Sequence, residues 1–98
     1  KKLKLNNVSI VKGWFQNTLP KAKIDSISIL RLDGDWYEST KCSLNNLYDK
    51  VVSGGYVISD DYGCWQGDKT AFDEFLKARD TKANWIKIDS HGYYFKKP

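Results

Sequence analysis

No apolar run in this 98-residue chain approaches the length of a membrane span, and none of its segments has the pattern of a signal peptide. The sequence therefore predicts no membrane partner. Cysteine is scarce. Cys42 and Cys64 belong to no CxxC pair and have no closely spaced Cys or His partner, which argues against a zinc site. The expected setting is a reducing cytoplasm with both thiols free, although a Cys42–Cys64 disulfide stays open. Arginine is scarcer than the net charge of +4 suggests: only Arg31 and Arg79 are present. Lys1, Lys2, Lys4, Lys96 and Lys97 sit at the two ends, where a solvated tail accounts for them. Nucleic-acid binding needs basic and aromatic residues interleaved on one face, and that stripe is missing, so no nucleic-acid partner is expected. Proline is rare, low-complexity linkers are absent, and no segment repeats.

What is present is ordinary globular material. The chain is 41% hydrophobic and 29% charged, with four Trp, six Tyr and four Phe to build a small core. A length of 98 residues predicts a single domain, 1–98.

Patterning predicts the element order. "VSIV" at residues 8–11 reads as a strand ended by Gly13. "WFQNTLP" reads as a helical turn stopped by Pro20. "SISILRL" is a nearly continuous run of β-branched and aliphatic residues, the pattern of a strand covered on both faces. From Tyr37 the period becomes helical through Leu44, Leu47, Tyr48 and Val51, with Asp35 as a candidate cap and "SGG" as the stop. "YVIS" is the next strand. Asp68 is a candidate cap for a second helix, whose stripe is Ala71, Phe72, Phe75, Leu76 and Arg79. "NWIKID" and "GYYFK" are two strands joined so tightly by "SHG" that they must pair antiparallel. Strands alternating with helices mean an α/β fold with parallel strands and helical crossovers, finished here by an antiparallel hairpin.

Within this order two acid clusters take equivalent places. Asp33 and Asp35 follow "LRL", and Asp60 and Asp61 follow "VIS". Ligands bind open α/β sheets at the carboxyl ends of their strands. Neighbouring parallel strands would gather these carboxylates, which cannot all stay ionised without a cation. Hard oxygen donors suit Mg²⁺ or Ca²⁺. Any one Asp could equally be a helix cap or turn residue; the repetition at two strand ends favours a site. Trp65 follows the second cluster and could line a substrate pocket or anchor packing. Glu38 and His91, the latter in the expected hairpin turn, are given no catalytic role.

Four stretches together, "GWFQNTLP", "LRLDGDWYEST", "LYDKVVSGGYVISDDYG" and "AFDEFL", resemble the macrocin-type sugar O-methyltransferases. The resemblance runs from about Val8 to the closing "YYFKK". It implies S-adenosylmethionine-dependent methylation of a sugar hydroxyl, with Asp33, Asp60 and Asp61 as Mg²⁺ ligands and Asp35 as the general base. A small-molecule sugar acceptor is the implied partner. The chemistry is coherent, because a carboxylate beside an acidified hydroxyl can take its proton as the oxygen attacks the methyl group.

One departure is large. There is no GxGxxG-like segment to bind S-adenosylmethionine, and "VSIV" corresponds to the family's third strand. The chain is thus expected to be the C-terminal half of a class I, Rossmann-like methyltransferase sheet and to be inactive alone. A non-catalytic metal- and sugar-binding module, or an oligomerising remnant, remain as alternatives. Losing its inner neighbours would leave "SISILRL" with an open edge; either "VSIV" moves in beside it, or the chain is part of a larger parent, or, if it is a complete gene product, it is expected to self-associate as a dimer.

Overall fold

In the computed structural model, the structure describes Gly13, residues 15–21, 24–33 and 36–98. The expected strand at "VSIV" and the residue Asp35 lie outside these. Seven elements follow one another: α1 (Phe15–Thr18), β1 (Ile27–Leu32), α2 (Tyr37–Leu47), β2 (Val51–Ser59), α3 (Gln66–Ala78), β3 (Ile86–Lys87) and β4 (Tyr93–Lys96). They form a mixed four-stranded sheet in the order β1-β2-β4-β3. β1 and β2 are parallel, whereas β4 runs antiparallel to both of its neighbours.

The core lies on one face of this sheet. Leu30 and Leu32 of β1, Val57 of β2 and Phe95 of β4 project to the side covered by α2 and α3. Leu44 from α2 and Phe72 from α3 meet them and are fully buried, as are Val57 and Phe95. Burying a side chain of this size is worth roughly 1.5–3 kcal/mol, so a few such positions hold the layer together. The helices are tied to each other by a buried hydrogen bond, Thr40 Oγ1 donating to Asp68 Oδ1 at 2.6 Å. At the other end of α3, Arg79 forks onto Asp49 and lies over the Phe75 ring.

Several sequence-based expectations change. Among the described residues, "SISILRL" is covered on one face only. Ile29 is 62% exposed, and with Tyr56, Ile58, Ile88 and Tyr94 it lines an apolar groove on the face away from the helices. An apolar run cannot by itself report whether its second face is covered. "SGG" does not stop α2. The helix ends at Leu47, a 3₁₀ turn follows over Tyr48–Lys50, and β2 already starts at Val51. Ser53, Gly54 and Gly55 form an irregularity within that strand, because the pairing jumps from Ile27↔Val51 to Ile29↔Tyr56. Between these pairs one residue of β1, Ser28, lies opposite four of β2, residues 52–55, a bulge that only a small residue allows: a Cβ at Gly55 would lie 2.8 Å from the Ser28 carbonyl oxygen. Pro20 stops nothing, since it sits inside a 3₁₀ turn, Leu19–Lys21. Asp68 is not a cap. The residue preceding α3 is Trp65, which makes no side-chain capping bond, and Asp68 faces inward to Thr40. Trp36 likewise precedes α2 without a capping bond.

Candidate active site

The parallel pairing of β1 and β2 brings their carboxyl ends to one edge. Leu32 and Ser59 are the last paired residues, and Asp60 continues the ladder by donating its backbone N–H to the Leu32 carbonyl at 3.1 Å. Asp33 and the pair Asp60-Asp61 therefore leave the sheet side by side. β4 runs the other way and starts opposite Ser59, through the pair Ser59↔Tyr93. The turn between β3 and β4 is thereby delivered to the same edge. One cavity of about 360 Å³ results, lined by Arg31, Asp33, Asp60, Asp61, Ile88, Asp89, His91 and Gly92.

Two anchors hold the loop that carries Asp60 and Asp61. Tyr62 stacks on Trp85 with ring centroids 4.0 Å apart, presents an edge contact to Phe72, and donates its hydroxyl to Asp73 Oδ1 at 2.8 Å. Gly63 donates its N–H to the His91 carbonyl at 2.9 Å. A Cβ at Gly63 would stand 2.6 Å from a Tyr93 ring carbon and 2.8 Å from the Ser90 carbonyl oxygen, so loop and hairpin turn meet at backbone distance. The Asp61 carbonyl then accepts the N–H groups of Cys64 and Trp65 and turns the chain into α3. On the hairpin side, Asp89 Oδ1 accepts the backbone N–H groups of His91 and Gly92. These two bonds, Gly92 first, pull the Asp89 carboxyl below its usual range.

Charge within the cavity is balanced from inside. Arg31 and Asp60 lie on the same face of adjacent strands, since Arg31 pairs with Ile58 and Asp60 is two residues further on. The guanidinium forks onto the carboxylate, with Nε to Oδ1 at 3.1 Å and a terminal nitrogen to Oδ2 at 2.5 Å. Its pKa is raised, first by this hydrogen bond, next by the charge of Asp60, and in smaller part by the charge of Asp33.

Of the residues singled out in the sequence, Asp33, Asp60 and Asp61 share this cavity. Trp65 does not line it; its side chain is 53% exposed at the start of α3. Arg31 and Asp89 belong to the lining and were not singled out, and so does His91, which the sequence reading gave no catalytic role. Arg31 was legible, because strand alternation places it on the face of Asp33, two residues away. The hairpin residues carried no such signal, since only the antiparallel register brings them here.

The donor chemistry of three carboxylates suits Mg²⁺, but their arrangement does not. Among the described residues, no group of three or more His, Cys, Asp or Glu side chains is placed to hold a metal ion. Asp60 is instead taken up by Arg31.

Residues 2–97 match the family described as Macrocin-O-methyltransferase (TylF). The chain belongs to this family. It is 48% identical over 90 residues to a demethyldecarbamoylnovobiocin O-methyltransferase of Streptomyces niveus, covering 92% of this chain and 34% of that protein. It is 32% identical over 92 residues to a mycinamicin III 3''-O-methyltransferase of Micromonospora griseorubida, covering 94% of this chain and 36% of that one. Among solved structures, the O-methyltransferase NovP superposes with a TM-score of 0.85 at 49% identity, over 87% of this chain and 35% of NovP. The calicheamicin methyltransferase CalS11 superposes with a TM-score of 0.76 at 22% identity, over 88% of this chain and 36% of CalS11, which bears on the fold alone. The fold is thus that of a methyltransferase fragment, and the chain spans about a third of the length of these relatives. No helix among the described residues is long and apolar enough to cross a membrane.

Proposed function

We propose that residues 1–98 form the acceptor-binding part of a S-adenosylmethionine-dependent O-methyltransferase acting on a sugar hydroxyl. The observation that carries this reading is the cavity in which Asp33, Asp60 and Asp61 come together from the ends of two parallel strands. The named relatives are O-methyltransferases, and a further relative of Streptomyces olivaceus, 47% identical over 57 residues, is named for 4'-O-methylation of a rhamnosyl-tetracenomycin, which supports the substrate class. Asp35, two residues beyond Asp33, would accept the hydroxyl proton, and the hydroxyl oxygen would attack the methyl group. S-adenosylmethionine supplies that methyl group when bound by the cofactor half of the fold. Mg²⁺ enters the proposal as a cation drawn to Asp33, Asp60 and Asp61, with Asp60 released from Arg31. Trp65 is proposed to border the sugar from outside the acid cavity. The free thiols of Cys42 and Cys64 suit a reducing cytoplasm. We further propose that the 98-residue chain lacks the cofactor-binding part, is inactive alone, and self-associates through β1.

Separate calorimetric titrations test this reading. The 98-residue chain is expected to give saturable heat with Mg²⁺ and none with S-adenosylmethionine. Methyl transfer to a sugar acceptor by this chain alone would refute the assignment of cofactor binding to another part of the fold. Absence of any cation binding would favour the alternative, an oligomerising remnant of the fold.

A further inference from the structure

We infer that Trp36 and Trp65 form one two-indole platform beside the acid cavity, and that it selects acceptors whose sugar carries a flat aromatic group. The inference rests on the sugar-acceptor reading proposed above and adds to it the residues that read what the sugar is attached to. Both tryptophans occupy the same structural position. Each ends a loop that leaves a parallel strand with its acids, and each immediately precedes a helix. The two helix starts touch. A Cβ at Gly67, in the first turn of α3, would lie 3.2 Å from the backbone nitrogen of Tyr37, the first residue of α2. Trp36 is bonded to that nitrogen and Trp65 stands just before Gly67, so both side chains start from one corner of the carboxyl edge. Packing accounts for neither of them. Trp85 shows what a structural tryptophan does in this fold: it stacks on Tyr62 and meets Phe72, Tyr93 and Phe95 edge-on. Among the described residues, Trp36 and Trp65 have no ring contact and no side-chain hydrogen bond, and they are 69% and 53% exposed. Helix formation accounts for neither as well. Ser, Thr, Asp and Asn close a helix start through a side-chain oxygen; an indole forgoes that bond, and neither tryptophan makes one. A local rule broken at two equivalent places beside the candidate site points to a surface kept for a ligand. An indole offers a broad apolar face, which suits a flat ring. The acid cavity offers carboxylates and a guanidinium, which suit hydroxyl groups. A ligand that spans both is an aryl glycoside, its sugar at the acids and its aromatic ring on the tryptophans.

Two probes with the same sugar test this, 4-nitrophenyl α-L-rhamnopyranoside and methyl α-L-rhamnopyranoside, titrated into the ¹⁵N-labelled 98-residue chain and followed by the indole N–H and backbone amide resonances. Wild type, Trp36→Ala and Trp65→Ala are compared, each checked for native far-ultraviolet circular dichroism; both side chains are exposed, so the fold should survive their loss. Both glycosides should move the amides of Asp60 and Asp61. Only the aryl glycoside should move the Trp36 and Trp65 indole signals, and it should bind about three- to tenfold more tightly than the methyl glycoside, the range of an aromatic ring contact. Each substitution should remove most of that advantage and leave binding of the methyl glycoside unchanged. Equal affinity for the two glycosides, or an advantage that survives both substitutions, overturns the platform and leaves the sugar-acceptor reading standing. Equally tight binding of 4-nitrophenol alone shows that the tryptophans take an arene without its sugar and overturns their assignment to the acceptor. Saturable binding of neither glycoside overturns both readings.

Discussion

Tyr62 shows how one side chain fixes the acid loop and makes a pH dependence. Burial, then the hydrogen bond and charge of Asp73, push its hydroxyl up to about 12 from an ordinary value of 10.0. The folded-state value lies above the unfolded one, so this contribution to stability is complete below pH 10 and is lost as pH rises from 10 towards 12. Urea midpoints measured across that interval should fall more steeply for wild type than for Tyr62→Phe; equal slopes would place the titration elsewhere. Asp68 offers a contrast. Replacing it with Ala removes the buried hydrogen bond that Thr40 donates to it and should lower stability by about 1–3 kcal/mol. Asp60→Asn, which breaks an exposed pair, should cost about 1 kcal/mol or less in the same denaturation series. The sequence distinguished these residues poorly. Both are Asp near a helix start, and only the packing of α3 against α2 turns Asp68 inward. Asp33, Asp60 and Asp61 were legible because position relative to a strand end is a local property. Arg31 needed one further step, the face it shares across β1 and β2.

The elements themselves were mostly legible, and their boundaries failed for physical reasons. Helical periods located α2 and α3, a nearly continuous β-branched and aliphatic run located β1, and the short "SHG" link located the closing hairpin. The start of β2 was lost because "SGG" has two readings, a helix stop or a strand bulge, and local sequence does not separate them. Contact with Ser28 decides it. Gly55 has no room for a side chain: besides the Ser28 oxygen, an added Cβ would meet the Val52 carbonyl oxygen at 2.9 Å. Both neighbours are backbone and cannot rotate away. Gly55→Ala should therefore force β1 and β2 apart and destabilise the chain by about 1–3 kcal/mol, with amide exchange rising first at Ile29 and Tyr56. The consequence for the site follows from register. β1 and β2 realign from Ile29↔Tyr56 onward, and every later pair up to Leu32↔Ser59 depends on that bulge to keep Arg31 within reach of Asp60. A shift of one residue would turn Asp60 to the helix side and break the fork.

Across the whole molecule, the unpaired side of β1 sets the last expectation. β1 ends the sheet order among the described residues, so its outer row of backbone N–H and C=O groups has no strand partner there. The apolar groove beside it, from Ile29 to Tyr94, adds surface that water solvates poorly. Pairing β1 with β1 of a second copy satisfies the backbone row, extends the sheet across a two-fold axis, and buries apolar area worth roughly 25 cal/mol per Å². An intramolecular solution competes with it, in which "VSIV" at residues 8–11 takes the same edge. The two differ in mass. Gel filtration with light scattering at micromolar concentration should give twice the 11.3 kDa of one chain. Ile29→Lys then discriminates further, because a charge placed beside the edge strand should return a dimer to monomer without touching Leu30 or Leu32 in the core. A wild-type chain that runs at 11.3 kDa rejects the dimer.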